Sequence, residues 1–123
     1  MSAALDVVTS FCKAWSTLDI DEMMAYFAPD AVYHNIPIDP VAGRDNIRAA
    51  IESFTTGWDG VEFEIVHALA DGDLVVTERV DHFVSAERRV SLPVMGIFEL
   101  HDGKITAWRD YFDINQFMSQ LSA

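Results

Sequence analysis

The clearest periodic pattern in the chain runs from residue 61 to residue 112 and reads VEFEIVHALADGDLVVTERVDHFVSAERRVSLPVMGIFELHDGKITAWRDYF. Apolar and polar residues alternate along it, as they do in β-strands that bury one face. Asp71-Gly72 and Asp102-Gly103 are turn pairs, and residues 85–88 fit a compact hairpin. The pattern predicts four consecutive strands, which begin at residue 61 and then occupy residues 74–84, 89–100 and 104–112.

Helical spacing of apolar residues replaces this alternation in the first part of the chain and again at its end. Asp19 and Asp113 stand where two helices would begin, because their carboxylates can accept hydrogen bonds from the free N–H groups of a first turn. Pro37 and Pro40 end a short strand between the second and third helices. The predicted order is a helix over 2–17, a helix over 19–27, a strand over 31–36, a helix after Gly43, the four strands, and a helix over 114–121.

Helices that are segregated from a run of antiparallel strands predict a layered α+β fold. We expect a curved, mixed, mainly antiparallel sheet with helices packed on its concave face around a deep pocket, so that the whole is shaped like a cone. The chain has 123 residues and a mass of 13.8 kDa, so residues 1–123 are expected to form a single domain. Half of the residues are hydrophobic, which is enough to build a core.

The charge balance argues against several classes of partner. Asp and Glu number 20 against 8 Lys and Arg, for a formal net charge of −12, and such a surface repels nucleic acids and anionic lipids. Cys12 is the single cysteine, so we expect neither an internal disulfide nor a cysteine-rich metal site. The amino terminus lacks the basic start of a signal peptide, and no apolar run is long enough to span a bilayer. We therefore expect no membrane role and a cytoplasmic location.

Three charged residues stand where strands of this kind usually carry apolar ones. Arg79 and Asp81 share one face of the predicted strand 74–84, about 6–7 Å apart along it. Asp110 lies between the large aromatic residues Trp108 and Phe112 on one face of the last strand. A carboxylate there must be paired or have a raised pKa, because burial disfavours its charge. The alternative for Arg79 and Asp81 is an ordinary ion pair on the surface. The alternative for Asp110 is a surface carboxylate whose aromatic neighbours face another subunit.

Tyr33 and Asn35 add two polar side chains on one face of the strand predicted over 31–36. A hydroxyl and an amide can hold a water molecule, although Asn35 could instead bind backbone near Pro37, and tyrosine is an ordinary strand residue. Beside such a water, two carboxyl groups that share a proton would titrate as a coupled unit. One protonated acid and one ionised base suit a hydrolysis in which the acid donates a proton while the base accepts one.

These residues carry a resemblance to a known family. The chain resembles the limonene-1,2-epoxide hydrolases, within the larger SnoaL-like and NTF2-like group of cone-shaped, cystatin-like domains, and the resemblance extends over essentially the whole chain. The matching motifs are Tyr33-x-Asn35, Gly43-Arg44-Asp45, Arg79-Val80-Asp81, Gly96-x-Phe98 and the run GKITAWRDYFD at residues 103–113.

The resemblance implies a role for each of the five polar residues. Asp81 would be the general acid that protonates an epoxide oxygen, and Asp110 the general base that takes a proton from water. Tyr33 and Asn35 would hold that water, and Arg79 would bridge the two carboxylates. The implied reaction adds water in one step to a small hydrophobic epoxide, cyclic or terpenoid-like, and gives a vicinal diol. It needs no covalent intermediate, cofactor or metal.

Large apolar side chains are the candidates for the pocket walls, although each could equally be plain core. None of the four histidines forms a spaced ligand set, so no metal site is expected. Val76 and Val80 leave the outer face of the sheet partly apolar, and we expect a homodimer packed through that face. The candidate wall residues are Trp15, Phe63, Phe83, Leu92, Phe112 and Phe117.

Two other functions compete with epoxide hydrolysis. A ketosteroid-isomerase-like or SnoaL-like polyketide-cyclase activity needs a base near an acidic C–H and a donor for an enolate oxygen, which Asp110 and a protonated Asp81 could supply. A non-catalytic domain that binds a small molecule would keep the charges for structure alone. The arginine bridge and the Tyr-x-Asn pair favour hydrolysis.

Overall fold

The computed structural model describes residues 2–122. No helix among these residues is both long enough and apolar enough to cross a membrane. The elements follow the predicted order with one short strand added. They are α1 (Ala3–Ala14), a 3₁₀ turn (Trp15–Thr17), α2 (Ile20–Met24), β1 (Phe27–Asn35), β2 (Val41–Ala42), α3 (Arg44–Thr55), β3 (Gly60–Asp71), β4 (Leu74–Val84), β5 (Arg89–His101), β6 (Lys104–Tyr111) and α4 (Ile114–Leu121).

The six strands form one curved sheet in the order β2-β1-β6-β5-β4-β3. β1 and β6 run parallel, whereas all other neighbours are antiparallel. α1 packs against β3, α3 against β1 and α4 against β5, so the helices cover one face of the sheet. The predicted α+β fold, with a mixed, mainly antiparallel sheet and helices on its concave face, is confirmed.

The core lies between α1 and the concave face of the sheet. Alternate residues of β4 and β5 face the helices and are buried, while their neighbours lie on the outer face. Phe11 of α1 is fully buried and meets Phe27 and Trp108 edge to face, with ring centroids 5.3 and 5.1 Å apart. Aromatic pairs favour this arrangement. The cluster anchors α1 beside the strands that carry the charged residues.

A bulge in β3 changes the face that simple alternation predicts for one histidine. Alternation places His67 on the same face as Phe63 and Ile65. In the structure the register between β3 and β4 shifts after Ile65, so that His67 pairs with Glu78 on the outer face. One extra residue in a strand reverses the alternation beyond it, and the local pattern does not reveal where that residue lies.

A second bulge lies in β6, where alternation predicts that Thr106 shares a face with Trp108. The register between β5 and β6 shifts at this point, and Ile105 is buried in place of Thr106. The Thr106 hydroxyl donates instead to the carbonyl oxygen of Glu99 at 3.0 Å. The expected face for Thr106 is therefore wrong, while Trp108 and Asp110 keep theirs.

The start of β1 also differs from the expectation. The helix predicted over 19–27 ends at Met24, and Phe27 already belongs to β1. Phe27 pairs in parallel with Ile105, whose N–H donates to the carbonyl oxygen of Tyr26 at 2.8 Å. The partner strand lies far along the chain, so local spacing could not show this pairing. The two-residue strand β2 was not predicted for the same reason.

Candidate active site

A cavity of about 240 Å³ lies between the concave face of the sheet, α3 and α4. All six apolar residues that the sequence offers as pocket walls line this cavity, namely Trp15, Phe63, Phe83, Leu92, Phe112 and Phe117. The polar residues Asp81, Asp110, Tyr33 and Asn35 line it as well. The residues that sequence reasoning missed come mainly from α3 and from the turn after β1, whose placement depends on tertiary packing. They are Ile38, Asp39, Val41, Ala50, Ile51, Phe54, Val94 and Ile114.

Arg79 does not line the cavity but lies behind the lining residues Asp81 and Asp110, where it is fully buried. Its Nε and Nη2 donate to Asp81 at 3.0 and 2.9 Å. Its Nη1 and Nη2 donate to Asp110 at 3.2 and 2.8 Å, and Nη1 also donates to the Thr77 hydroxyl at 3.1 Å. These five bonds use the full donor capacity of a guanidinium. The Phe63 ring, with its centroid 4.8 Å from the guanidinium carbon, covers the cation on one side.

The sheet brings the three charged residues together across a strand that carries none of them. Arg79 and Asp81 lie on β4 and Asp110 lies on β6, with β5 between them. The guanidinium crosses β5 at Gly96, which is paired with Asp110. A Cβ atom at Gly96 would lie 2.6 Å from Oδ1 of Asp110 and would collide with Nη1 of Arg79. The bridge therefore depends on a glycine at this position.

Burial sets the protonation of this group. Desolvation raises the pKa of Asp81 from its ordinary value of 3.8 to about 6, against the opposing effect of Arg79 and with a further contribution from the charge of Asp110. Burial also disfavours the Arg79 cation, but the two carboxylates outweigh it and raise the pKa of Arg79. Asp81 is thus able to carry a proton at a pH where an exposed aspartate is ionised.

Asp110 has a richer set of donors than Asp81. Besides two bonds from Arg79, it accepts one from the indole Nε1 of Trp108 at 2.7 Å on Oδ1. Trp108 lies two residues earlier on the same strand face, which places both side chains on the concave side. Sequence reasoning identified Trp108 only as an aromatic neighbour and gave Thr77 and Gly96 no role. All three roles are contacts within or across strands, which residue types alone do not reveal.

Tyr33 and Asn35 stand next to this group on β1. In the parallel pairing of β1 and β6, Asn35 lies opposite Asp110 and Tyr33 opposite Trp108. The rings of Tyr33 and Trp108 are stacked with centroids 4.2 Å apart. Burial, reinforced by the charge of Asp110, raises the pKa of Tyr33, so its hydroxyl remains a hydrogen-bond donor. The phenol and the amide therefore belong to the part of the cavity wall next to Asp110.

The histidines lie elsewhere. His34 contacts the carbonyl oxygen of Ile38 at 2.9 Å, and the other three pair with carboxylates at or near the surface. Within residues 2–122, no three His, Cys, Asp or Glu side chains are grouped as a metal ion would require. The polar side chains in the cavity wall carry carboxyl, phenol, amide and indole N–H groups.

Comparison with known proteins gives consistent similarities. A family model described as the limonene-1,2-epoxide hydrolase catalytic domain matches residues 2–123. The chain is similar to epoxide hydrolase EphG of Mycobacterium tuberculosis, with 36% identity over 114 residues that cover 93% of this chain and 76% of that protein. The structure of an LEH-like epoxide hydrolase from M. tuberculosis superposes with a TM-score of 0.85 at 35% identity, covering 98% of this chain and 90% of that one. A putative polyketide cyclase from Xanthomonas campestris superposes with a TM-score of 0.88 at 21% identity, covering 97% and 96%, and shows a shared fold alone.

We expect the substitution Gly96→Ala to break the bridge between the two aspartates. The added methyl group would occupy the space of Nη1 of Arg79, and overpacking of this kind lowers the free energy of unfolding by about 1–3 kcal/mol. Denaturant unfolding of both proteins measures the difference. Gly57→Ala is the matched control, because no atom lies within 4 Å of the methyl group that it would add. Equal losses of stability in the two variants would contradict the role given to Gly96.

Proposed function

Because the chain belongs to the limonene-1,2-epoxide hydrolase family, we propose that it adds water to a small, apolar epoxide and releases a vicinal diol. The observation that carries the proposal is the pair of aspartates, bridged by one buried arginine, in the wall of a mostly apolar cavity. One carboxyl group of the pair has a raised pKa. Such a pair supplies an acid and a base at the same pH.

In the proposed reaction, Asp81 gives its proton to the epoxide oxygen as the carbon–oxygen bond of the ring breaks. Water forms the new bond to that carbon and gives a proton to Asp110, so no alkoxide is released. Tyr33 and Asn35 hold the water beside Asp110, and Arg79 fixes the orientation of both carboxyl groups. The trio of Arg79, Asp81 and Asp110 returns to its starting state when Asp110 gives its proton to solvent water and Asp81 takes one from it.

The cavity limits the substrate by size and polarity. Its volume of about 240 Å³ lies below the range of roughly 300–1,000 Å³ that is usual for drug-sized ligands. Aromatic and aliphatic side chains form most of its walls, among them Trp15, Phe63 and Phe83. These features support a compact hydrocarbon epoxide, and water is the only other reactant.

A carbon-acid reaction, as in a ketosteroid isomerase or a polyketide cyclase, is the alternative use of the same two aspartates. It would show as exchange of deuterium into a ketone substrate without turnover of epoxides. Tyr33 and Asn35 support hydrolysis, because a phenol and an amide in the cavity wall next to Asp110 can hold the attacking water. A purely binding role would leave the raised pKa of Asp81 without a use.

We also propose that two copies of the chain associate through the outer face of the sheet. Several large apolar side chains stand exposed on that side, and the four most exposed, with 44% to 75% of their surface accessible, do not contribute to the cavity. Apolar patches of this kind usually mark an interface. They are Val66, Leu69, Met95 and Tyr111.

Sedimentation velocity at micromolar concentration should give twice the mass of 13.8 kDa. Met95→Glu should dissociate the dimer, because it puts a second carboxylate beside Glu78, with which Met95 is paired, on the face proposed to be buried. Met118→Glu is the matched control, since Met118 is 53% exposed on α4, which packs on the opposite face of the sheet. A wild-type protein that sediments as a monomer would refute the dimer.

We expect Asp81→Asn and Asp110→Asn each to lower diol formation by at least about 100-fold, the typical worth of one general acid or base. A panel of cyclic and aliphatic epoxides, with the diol measured by gas chromatography, provides the assay. Circular dichroism must show that each variant is folded. Near-normal turnover in either folded variant would contradict the assigned roles.

A single turnover in ¹⁸O-labelled water tests whether the reaction proceeds in one step. The label should enter the diol and not the protein. Label in Asp81 or Asp110 would instead show that a carboxylate attacked the epoxide and formed an ester.

The pH dependence follows from the state of Asp81. This residue acts as an acid only while protonated, and its pKa is raised to about 6. We therefore expect kcat/KM to fall as the pH rises through this value, after subtraction of the uncatalysed opening of the epoxide. An activity that keeps increasing up to pH 9 would argue against Asp81 as the proton donor.

A further inference from the structure

Arg79 binds both aspartates in nearly the same way and cannot by itself tell them apart. Asp81 accepts two bonds from the guanidinium at 3.0 and 2.9 Å, and Asp110 accepts two at 3.2 and 2.8 Å. The two carboxyl groups are also equally buried, at 4% and 3% exposure. A reaction that needs one as acid and the other as base requires a further asymmetry.

The asymmetry comes from Trp108. Its indole Nε1 donates to Oδ1 of Asp110 at 2.7 Å, which is shorter than any bond from Arg79 to either carboxylate. An N–H group can donate to a carboxylate but cannot accept a proton from a carboxylic acid. Trp108 therefore stabilises the ionised form of Asp110 and has no counterpart at Asp81, whose bonds within residues 2–122 come from Arg79.

The neighbouring rings leave the indole little freedom to turn away. Trp108 is fully buried and is stacked between Tyr33, at 4.2 Å, and Phe98, at 5.4 Å. Phe11 meets it edge to face at 5.1 Å. Trp108 does not line the cavity, so it has no contact with a bound substrate. Its one polar atom is directed at Asp110.

The hydrogen bonds also distinguish the two oxygens of Asp110. Oδ1 accepts from both Trp108 and Arg79, which fills its two acceptor sites, whereas Oδ2 accepts, among the described residues 2–122, from Nη2 of Arg79 alone. The free acceptor site on Oδ2 is left for a water molecule. The other titratable groups facing Asp110 are Cys12 of α1, Tyr33 of β1 and Asp81 of β4, while β5 presents only Gly96.

We infer that Trp108 is a positioning residue that makes Asp110 the base, with Oδ2 as the atom that receives the proton from water, and leaves the exchangeable proton on Asp81. This inference rests on the proposed function. It predicts a loss in the chemical step without a loss in substrate binding.

Trp108→Phe keeps an aromatic ring in the stack and removes the N–H group. We expect kcat to fall about 10- to 100-fold, the usual worth of a hydrogen bond to a charged group, with KM changed less than about twofold. The acid limb of the kcat/KM profile should move to higher pH by about one unit or more. Trp58→Phe is the matched control, because Trp58 neither lines the cavity nor contacts Asp110, and it should leave kcat and the pH profile unchanged.

A second replacement distinguishes the effect of losing the N–H donor from the effect of the smaller phenyl ring. Site-specific incorporation of benzothienylalanine at position 108 puts sulfur in place of the N–H group and keeps the shape of the indole. The same fall in kcat and the same shift of the acid limb are expected. If both variants keep the kcat and pH profile of the Trp58→Phe control, the role of Trp108 is refuted while the hydrolase function stands.

A readout that does not depend on turnover completes the test. In protein labelled with ¹³C at the aspartate carboxyl groups, Asp81→Asn and Asp110→Asn assign the two buried signals. In the wild-type protein the signal of Asp81 should be that of a protonated carboxyl group. In the benzothienylalanine variant, Asp81 and Asp110 should each be protonated in part of the molecules. If the wild-type protein hydrolyses no epoxide, the proposed function fails, and this titration alone decides whether Trp108 sets the position of the proton. An unchanged division of the proton would overturn the inference.

Discussion

The bridge from Arg79 to Asp81 and Asp110 is the interaction around which the rest of this structure is arranged. Three buried charged groups would each be unfavourable alone, since removing a charge from water costs several kcal/mol even after relaxation. Here the guanidinium uses its full donor capacity, and each carboxylate takes two of its bonds. The arrangement requires glycine at position 96, because the guanidinium crosses β5 there and a side chain would occupy its space. A single missing side chain thus allows two distant strands to share one cation.

Much of the fold could be predicted from local periodicity, because the strands β3 to β6 follow one another along the chain and are joined by short turns. The turn at Asp102 and Gly103, both with positive φ, matches the expected hairpin. The bulges after Ile65 and at Thr106 could not be predicted, since they depend on how two strands fit one another. The parallel pairing of Phe27 with Ile105 is likewise a long-range contact. Local pattern therefore identified the elements and missed the points where distant partners adjust them.

The site, like the fold, has parts that local sequence predicts and parts that depend on long-range contacts. Asp81, Arg79 and Asp110 were conspicuous in the sequence because charges stood on apolar strand faces, and the structure places them together. Gly96 and Trp108 stood out only as members of matching motifs, and Thr77 did not stand out, because none of these residue types reveals the contact that it makes. Their importance lies in what each contacts across or along the sheet. Sequence can indicate which groups react, whereas the groups that hold them require the register of the strands.

The shared fold does not decide the reaction, since proteins described as cyclases superpose on this chain as well as epoxide hydrolases do. The hydrolysis proposed for this chain conserves the charge of the trio formed by Arg79, Asp81 and Asp110. In the proposed reaction Asp81 gives one proton and Asp110 takes one, so the total charge of these two groups and Arg79 is the same before and after. The guanidinium donates two bonds to each carboxyl group, so it supports both states without moving. A site whose dipoles are already in place before and after proton transfer needs little reorganisation at the barrier.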